Sequence, residues 1–305
     1  MIRIALAFVL TVAPTIAAAQ HTDPPRRPAG PEAPAWPALS AKARQQIKEV
    51  EKAALSIASP LAANDAGFAP VLGWVPTMGV HWVNEVRAAD GRPFELTAPD
   101  QLMFSRINGR ETLVGAAYSY LAPVNAPTRP DSFDGNPAWH EHPNLAPAGQ
   151  TLVMLHVWLV PSPDGPFADH NPNLPFWAYG LTPPDVDQMR DPARNQRFRK
   201  TALAIGEVVD SAGLFPVLQR RQLRLATQLS AHRAEIRRLI PELAAAQEGA
   251  DWMRWDAVAD RMAAQWVAMR EAYLSFAPNQ QAHERMRRLM DGMATGAQGA
   301  SDHHH

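Results

Sequence analysis

Two stretches of this chain decide the expected fold: residues 73–85, GWVPTMGVHWVNE, and residues 152–172, LVMLHVWLVPSPDGPFADHNP. Each places a histidine, His81 or His156, inside a run of apolar residues that is typical of a β-strand. A third histidine group, His140-Glu141-His142, lies between them. Because imidazole is the commonest metal ligand and titrates near neutral pH, three such groups in one segment predict a functional site.

The composition excludes several kinds of site. With 29 Lys and Arg against 30 Asp and Glu, the net charge is -1, so no nucleic-acid partner is expected. The chain has no cysteine, which excludes thiolate ligands, thiol nucleophiles and disulfides. Any metal must therefore be held by nitrogen, oxygen or thioether. Glycine-rich phosphate loops and dinucleotide fingerprints are absent from the sequence, so no nucleotide cofactor is expected.

Residues 1–19 are typical of a secretory signal peptide. Arg3 precedes an apolar run at residues 4–16, and Ala17-Ala18-Ala19 supplies small residues for cleavage before Gln20. The run is short for a membrane span, and no later apolar run reaches spanning length. We therefore expect a periplasmic or secreted protein without a membrane span after cleavage. The prolines of residues 20–37 predict an extended leader.

The remaining sequence predicts an α+β fold, with a strand-rich N-terminal histidine domain followed by an all-helical C-terminal part. Residues 38–59 should form a helix that Ser40 caps and Pro60 stops. Residues 60–182 form the histidine domain, with a hairpin turn at Asn108-Gly109. Its predicted strands are 78–86, 101–107, 111–121 and 152–160.

Residues 183–293 form the predicted helical domain, because apolar residues recur there at spacings of three and four. Pro241 should kink or split the second of its helices. Residues 294–305, which end in three histidines, are expected to be a disordered tail. The predicted helices of the domain are 195–212, 216–246, 256–276 and 279–293.

The predicted site combines these histidines with one carboxylate. Strand alternation places His81 and Glu85 on one face, and His156 on a face with Met154 and Trp158. If both faces point inward, the imidazoles converge, and the loop at residues 123–147 adds the third group. Such nitrogen and oxygen donors suit a divalent transition metal, namely Zn, Cu, Ni or Fe. The predicted metal ligands are His81, Glu85, His140, His142 and His156.

An alternative stays open for these residues. The histidines of the strands can instead be core residues bonded to backbone carbonyls, with the loop pair simply exposed. The polar run Asp169-His170-Asn171 offers groups that can bind a ligand, and it is interpreted first as part of a surface loop.

Three motifs carry a resemblance to a known family. Residues 78–84 (MGVHWVN), 113–118 (LVGAAY) and 155–172 (LHVWLVPSPDGPFADHNP) resemble the MGxHxxN, LVGxxY and LHxWxxxxPxGxFAxxNP segments of uncharacterised exported bacterial proteins. The resemblance covers about residues 73–173, implies export and marks His81 and His156 as signature residues. In addition, residues 216–293 are similar in pattern to periplasmic helical-hairpin proteins of metal and envelope stress, with residues 274–280 in the place of their LTxxQ segment.

The sequence thus predicts an exported protein that binds a metal ion or small molecule through a histidine cluster. A metal with an open coordination position would activate water and permit a metal-dependent enzyme of unspecified reaction. The alternative is a periplasmic stress or chaperone-like protein that binds protein clients through its C-terminal helices.

Overall fold

The computed structural model describes residues 36, 38–124, 129–137, 139–142, 145–209, 223–275 and 280–295. Within them the fold is α+β, as expected. One antiparallel sheet occupies the N-terminal half and has the strand order β1-β2-β3-β4-β6-β5. Its strands are β1 (Ala69–Val75), β2 (Gly79–Val83), β3 (Gln101–Ile107), β4 (Arg110–Pro123), β5 (His140–His142) and β6 (Gln150–Trp158).

Helices precede, interrupt and follow this sheet. A short 3-10 helix, Val186–Met189, leads into the C-terminal helices. The α-helices are α1 (Ala41–Leu55), α2 (Pro60–Asp65), α3 (Glu85–Ala88), α4 (Leu174–Tyr179), α5 (Pro192–Gly206), α6 (Leu223–Glu248), α7 (Trp252–Ser275) and α8 (Gln280–Thr295). No helix among the described segments is both long and apolar enough to cross a membrane.

The two faces of the sheet have different roles. The face towards α1 is apolar and builds a core from side chains such as Phe104, Tyr118 and Leu155, against which α1 packs Ile47 and Val50. Side chains alternate along a strand, so the other face carries residues one position away. That second face holds the histidines of β2, β5 and β6.

The helical part has its own core, built mainly by α5, α6 and α7. Two contacts join it to the histidine side of the sheet. The buried guanidinium of Arg199 on α5 binds both carboxylate oxygens of Asp164, in the segment after β6. A Cβ on Gly206 would lie 2.7 Å from Pro76 in the β1–β2 turn, so this end of α5 packs closely on that turn.

Several predicted elements are confirmed with small shifts of their ends. Ser40 caps α1, and its hydroxyl accepts a hydrogen bond from the Ala43 N–H at 3.0 Å. The turn at Asn108-Gly109 has φ values of 50° and 77°, the left-handed backbone that this dipeptide favours in a two-residue hairpin. The predicted strand 101–107 has the observed bounds of β3.

Other predictions need correction. Pro60 starts α2 at its first position, because the first N–H of a helix needs no partner, so it does more than stop α1. The helix does not split at Pro241, which lies inside the continuous α6. Strands β1 and β5 and helices α2, α3 and α4 were not predicted. Helix α8 reaches Thr295, two residues into the predicted tail, and residues 1–35, 210–222 and 296–305 lie outside the described residues.

Candidate functional site

Five histidines gather on the sheet face that points away from α1. Four come from strands: one each from β2 and β6, and two from β5. The fifth follows β6 in the segment that folds back over this face. The five are His81, His140, His142, His156 and His170.

The strand register explains how His81 and His156 meet. His156 on β6 pairs with Ala117 on β4, whereas His81 on β2 pairs with Met103 on β3, and Met103 pairs with Gly115 on β4. Strands β2 and β6 are three strand spacings apart, about 14 Å in a flat sheet. Both imidazoles must therefore reach across β3 and β4, where Gly115 and Ala117 carry no side chain larger than a methyl group.

The two rings meet at their Nε2 atoms, which are 3.4 Å apart in buried surroundings. The Nδ1 atom of His156 lies 3.0 Å from the backbone oxygen of Asp169. A carbonyl can only accept a hydrogen bond, so Nδ1 of neutral His156 carries the proton and its Nε2 presents a lone pair towards His81. The prediction that His81 and His156 lie close together is confirmed.

His140 and His142 lie on strand β5 and not in a loop, which corrects the sequence interpretation. They pair with Met154 and Leu152 on β6, so both point to the face of His156. The ring centroid of His140 lies 4.7 Å from that of His156 and 4.8 Å from that of His142.

Asp169 touches two members of the cluster. Its Oδ1 lies 2.9 Å from Nδ1 of His140, while its backbone oxygen accepts from His156. The buried Nε2 of His140 has no hydrogen-bond partner among the described residues, whereas its Nδ1 has the Asp169 carboxylate beside it. An unpaired buried polar atom costs about 1–3 kcal/mol. His140 is therefore the side chain of the cluster that a bound ion would relieve most.

The segment Asp169-His170-Asn171 is buried, so its interpretation as surface is wrong. Exposed fractions are 8%, 9% and 0%. Nδ1 of His170 lies 3.1 Å from the Thr77 hydroxyl, and the Asn171 N–H donates to the Thr77 carbonyl at 2.8 Å. Thr77 adopts φ 69°, a left-handed backbone that is unusual for a β-branched residue, at the turn between β1 and β2. The β1–β2 turn thus holds this segment against the histidine face.

Glu85 does not share the strand face of His81. Strand β2 ends at Val83, and Asn84 then caps α3, whose first residue is Glu85. The Glu85 side chain is exposed at this position. The structure therefore gives no support to Glu85 as a ligand or acid/base partner beside the histidines.

Burial keeps His81, His142, His156 and His170 uncharged at neutral pH, because it lowers the pKa of each. It lowers the pKa of His81 to about 4 and that of His142 to about 3, with neighbouring His140 adding to the effect. Burial also lowers the pKa of His170 to about 4 and that of His156 well below its usual range. Neutral imidazoles expose the lone pairs that metal ions bind.

Among the described residues, no group of three or more His, Asp or Glu side chains is arranged to hold a metal ion. On this sheet face the imidazoles of His81 and His156 meet, and the ring of His140 lies beside that of His156. No protein-family model, curated protein or solved structure matches the chain. The resemblance of residues 73–173 to exported proteins therefore stays a prediction.

Proposed function

We propose that this chain is an exported protein that binds a transition-metal ion between His81 and His156. The observation that carries the proposal is the 3.4 Å distance between their Nε2 atoms. Two nitrogens bound at 2.0–2.1 Å to a tetrahedral ion lie about 3.3–3.4 Å apart. The pair already has the spacing of two ligands of one ion.

The competing interpretation is a hydrogen bond between two core histidines. Protein hydrogen bonds from N–H groups are usually about 2.7–3.2 Å long, so 3.4 Å is long for such a bond. In addition, a purely structural pair gives no reason for the unpaired Nε2 of His140 next to it. Both features favour a metal ion over a hydrogen-bonded core.

The residues around the pair act on its orientation. The Asp169 carbonyl fixes the ring of His156, in the way that a backbone carbonyl commonly orients a metal-bound imidazole. His140 is the candidate third ligand, because its ring centroid lies 4.7 Å from that of His156 and its Nδ1 lies 2.9 Å from the Asp169 carboxylate. His142 stays a predicted ligand, at the more exposed end of the group. With a third histidine ligand, a four-coordinate ion would keep one coordination position for water.

Calorimetric titration of Zn²⁺ and Cu²⁺ tests the proposal. The protein must lack His303, His304 and His305, which can bind metal themselves. We expect one ion per chain, and a loss of at least about tenfold in affinity for His81→Gln and for His156→Gln, because each removes a direct ligand. The control is His232→Gln on α6, where the ring contacts Gln265 of α7. Absence of binding, or equal loss in the control, would contradict the proposal.

Export rests on the signal-like residues 1–19 and gives an expected mature start at Gln20, which mass spectrometry of the exported protein measures.

Client binding by the C-terminal helices has less support. Among the described side chains of α6, α7 and α8, the exposed large hydrophobic ones are Met253 and Val267, and the helices pack their other large apolar groups into a shared core. The metal site is therefore the better supported function.

A further inference from the structure

We propose that the preferred ion of this site is cuprous copper and that the thioether of Met103 is its third ligand. The inference rests on the proposed metal site at His81 and His156. It adds the identity of the ion and a thioether ligand to the two imidazoles.

The register places Met103 on the same sheet face as the two imidazoles, on a strand that lies between theirs. Met103 lies on β3, paired with His81 on one side and with Gly115 on the other. It is fully buried, and its terminal methyl group occupies the space that a side chain at Gly115 would need. The thioether therefore extends from β3 towards β4, in the direction in which the His81 ring reaches towards β6.

The donor set suits Cu(I) better than the other candidate ions. Thioether sulfur is a soft ligand that selects Cu(I), and imidazole binds copper well. Cu(I) is stable with three ligands alone, whereas a zinc ion with three protein ligands takes a water molecule as its fourth. Among the described residues, no three His, Asp or Glu side chains are arranged around one ion. Two imidazoles and a thioether make a complete site only for the softer ion.

The charge of the ion leads to the same choice. Both imidazoles are neutral, a thioether is neutral, and Met103 packs with the buried apolar residues Trp158, Val160 and Leu174. The cost of burying an ion in such surroundings rises with the square of its charge. A monovalent ion held by neutral ligands is therefore less costly to bury than Zn²⁺, and the Asp169 carboxylate of the cluster lies beside His140, 2.9 Å from its Nδ1.

The ordinary role for a buried methionine is packing, since its flexible side chain fills irregular gaps. Packing and ligation differ in what Met103→Leu does. Leucine has a similar volume and no sulfur, so it keeps most of the packing and removes the donor. A packing role predicts equal effects on all metal ions, and a ligand role predicts a selective loss of Cu(I).

The experiment measures Cu(I) affinity by competition with a chromophoric chelator under anaerobic conditions and Zn²⁺ affinity by calorimetry, both on protein lacking residues 303–305. For Met103→Leu we expect Cu(I) affinity to fall at least about tenfold and Zn²⁺ affinity to change less than about threefold. The control is Met262→Leu, a buried methionine of the helical core. Circular dichroism checks that each variant is folded.

X-ray absorption at the copper edge keeps the test decisive if Met103→Leu fails to fold. The chain has no cysteine, so any sulfur bound to copper in the wild-type protein must be a thioether. We expect one sulfur neighbour, which Met103→Leu removes. A shell of nitrogen and oxygen alone, or equal losses of Cu(I) and Zn²⁺ affinity in Met103→Leu, would overturn the inference and leave the metal site standing. Failure of wild-type protein to bind either ion would refute both proposals.

Discussion

Acidification from pH 7 to pH 5 is expected to destabilise the metal-free protein by about 4 kcal/mol through two histidines alone. Burial lowers the pKa of His81 and of His170 from 6.5 to about 4. In the unfolded chain both rings protonate as the pH falls through 6.5, whereas in the folded protein both stay neutral until about pH 4. The unfolded state then binds more protons, so the free energy of unfolding falls as the pH falls.

The size of this loss of stability follows from the difference between the pKa values in the unfolded and the folded state. Each pKa unit is worth about 1.4 kcal/mol, so each histidine costs about 2 kcal/mol at pH 5 and about 3 kcal/mol at pH 4, where the loss ends. The contribution is fully present above pH 6.5. A typical domain has only about 5–15 kcal/mol in total, so the effect is large. Burial of His142 and His156 acts in the same direction.

Urea titrations followed by circular dichroism at pH 7 and pH 5, with chelator present, measure the difference. His81→Gln and His170→Gln should each remove about 2 kcal/mol of the pH-dependent loss. His232→Gln, on α6, should leave the loss unchanged. A difference below about 1 kcal/mol between the two pH values would refute the reasoning, as would the same pH dependence in wild type and both cluster variants.

Two further predictions concern Gly115 and Asp169, which lie next to the site. Gly115→Ala should destabilise the protein by about 1–3 kcal/mol in urea titrations, because its Cβ would collide with the Met103 methyl and lie 2.9 Å from the Val157 oxygen. Gly292→Ala on α8 is the control, since nothing lies within 4 Å of its Cβ, and equal stability of the Gly115 variant would contradict the prediction. Asp169→Asn keeps the carbonyl that binds His156 but removes the charge next to His140, so calorimetric metal affinity should fall about tenfold. Unchanged affinity would show that this carboxylate does not act on the site.

Local signals in the sequence predicted the elements that depend on neighbouring residues. The cap at Ser40, the turn at Asn108-Gly109 and the bounds of β3 depend on residues close in sequence, and the structure confirms them. The approach of His81 to His156 was also predictable, because each lies in an apolar strand of the same segment. The contact depends on the strand order, in which β3 and β4 lie between β2 and β6, and no local sequence pattern specifies that order.

The missed features depend on contacts between distant residues. Strand β5 has three residues, too few for a periodic pattern, and it exists because His140 and His142 pair with β6. The burial of Asp169 and His170 results from docking on the Thr77 turn, which lies far away in sequence. The sequence signal for this burial was that Asp169 lies only 13 residues after His156. It stands in a run with two asparagines, Asn171 and Asn173, whose side chains donate to the Pro161 carbonyl. Side chains that fold back over a strand face are predictable only once the sheet is known.

The most direct test is a crystal structure of the protein lacking residues 303–305, loaded with Cu(I) or Zn²⁺, with anomalous scattering measured on both sides of each metal edge. The proposed function predicts one anomalous peak within about 2.0–2.1 Å of Nε2 of both His81 and His156. Loaded crystals in which the two imidazoles stay in contact, with no metal peak between them, would contradict it.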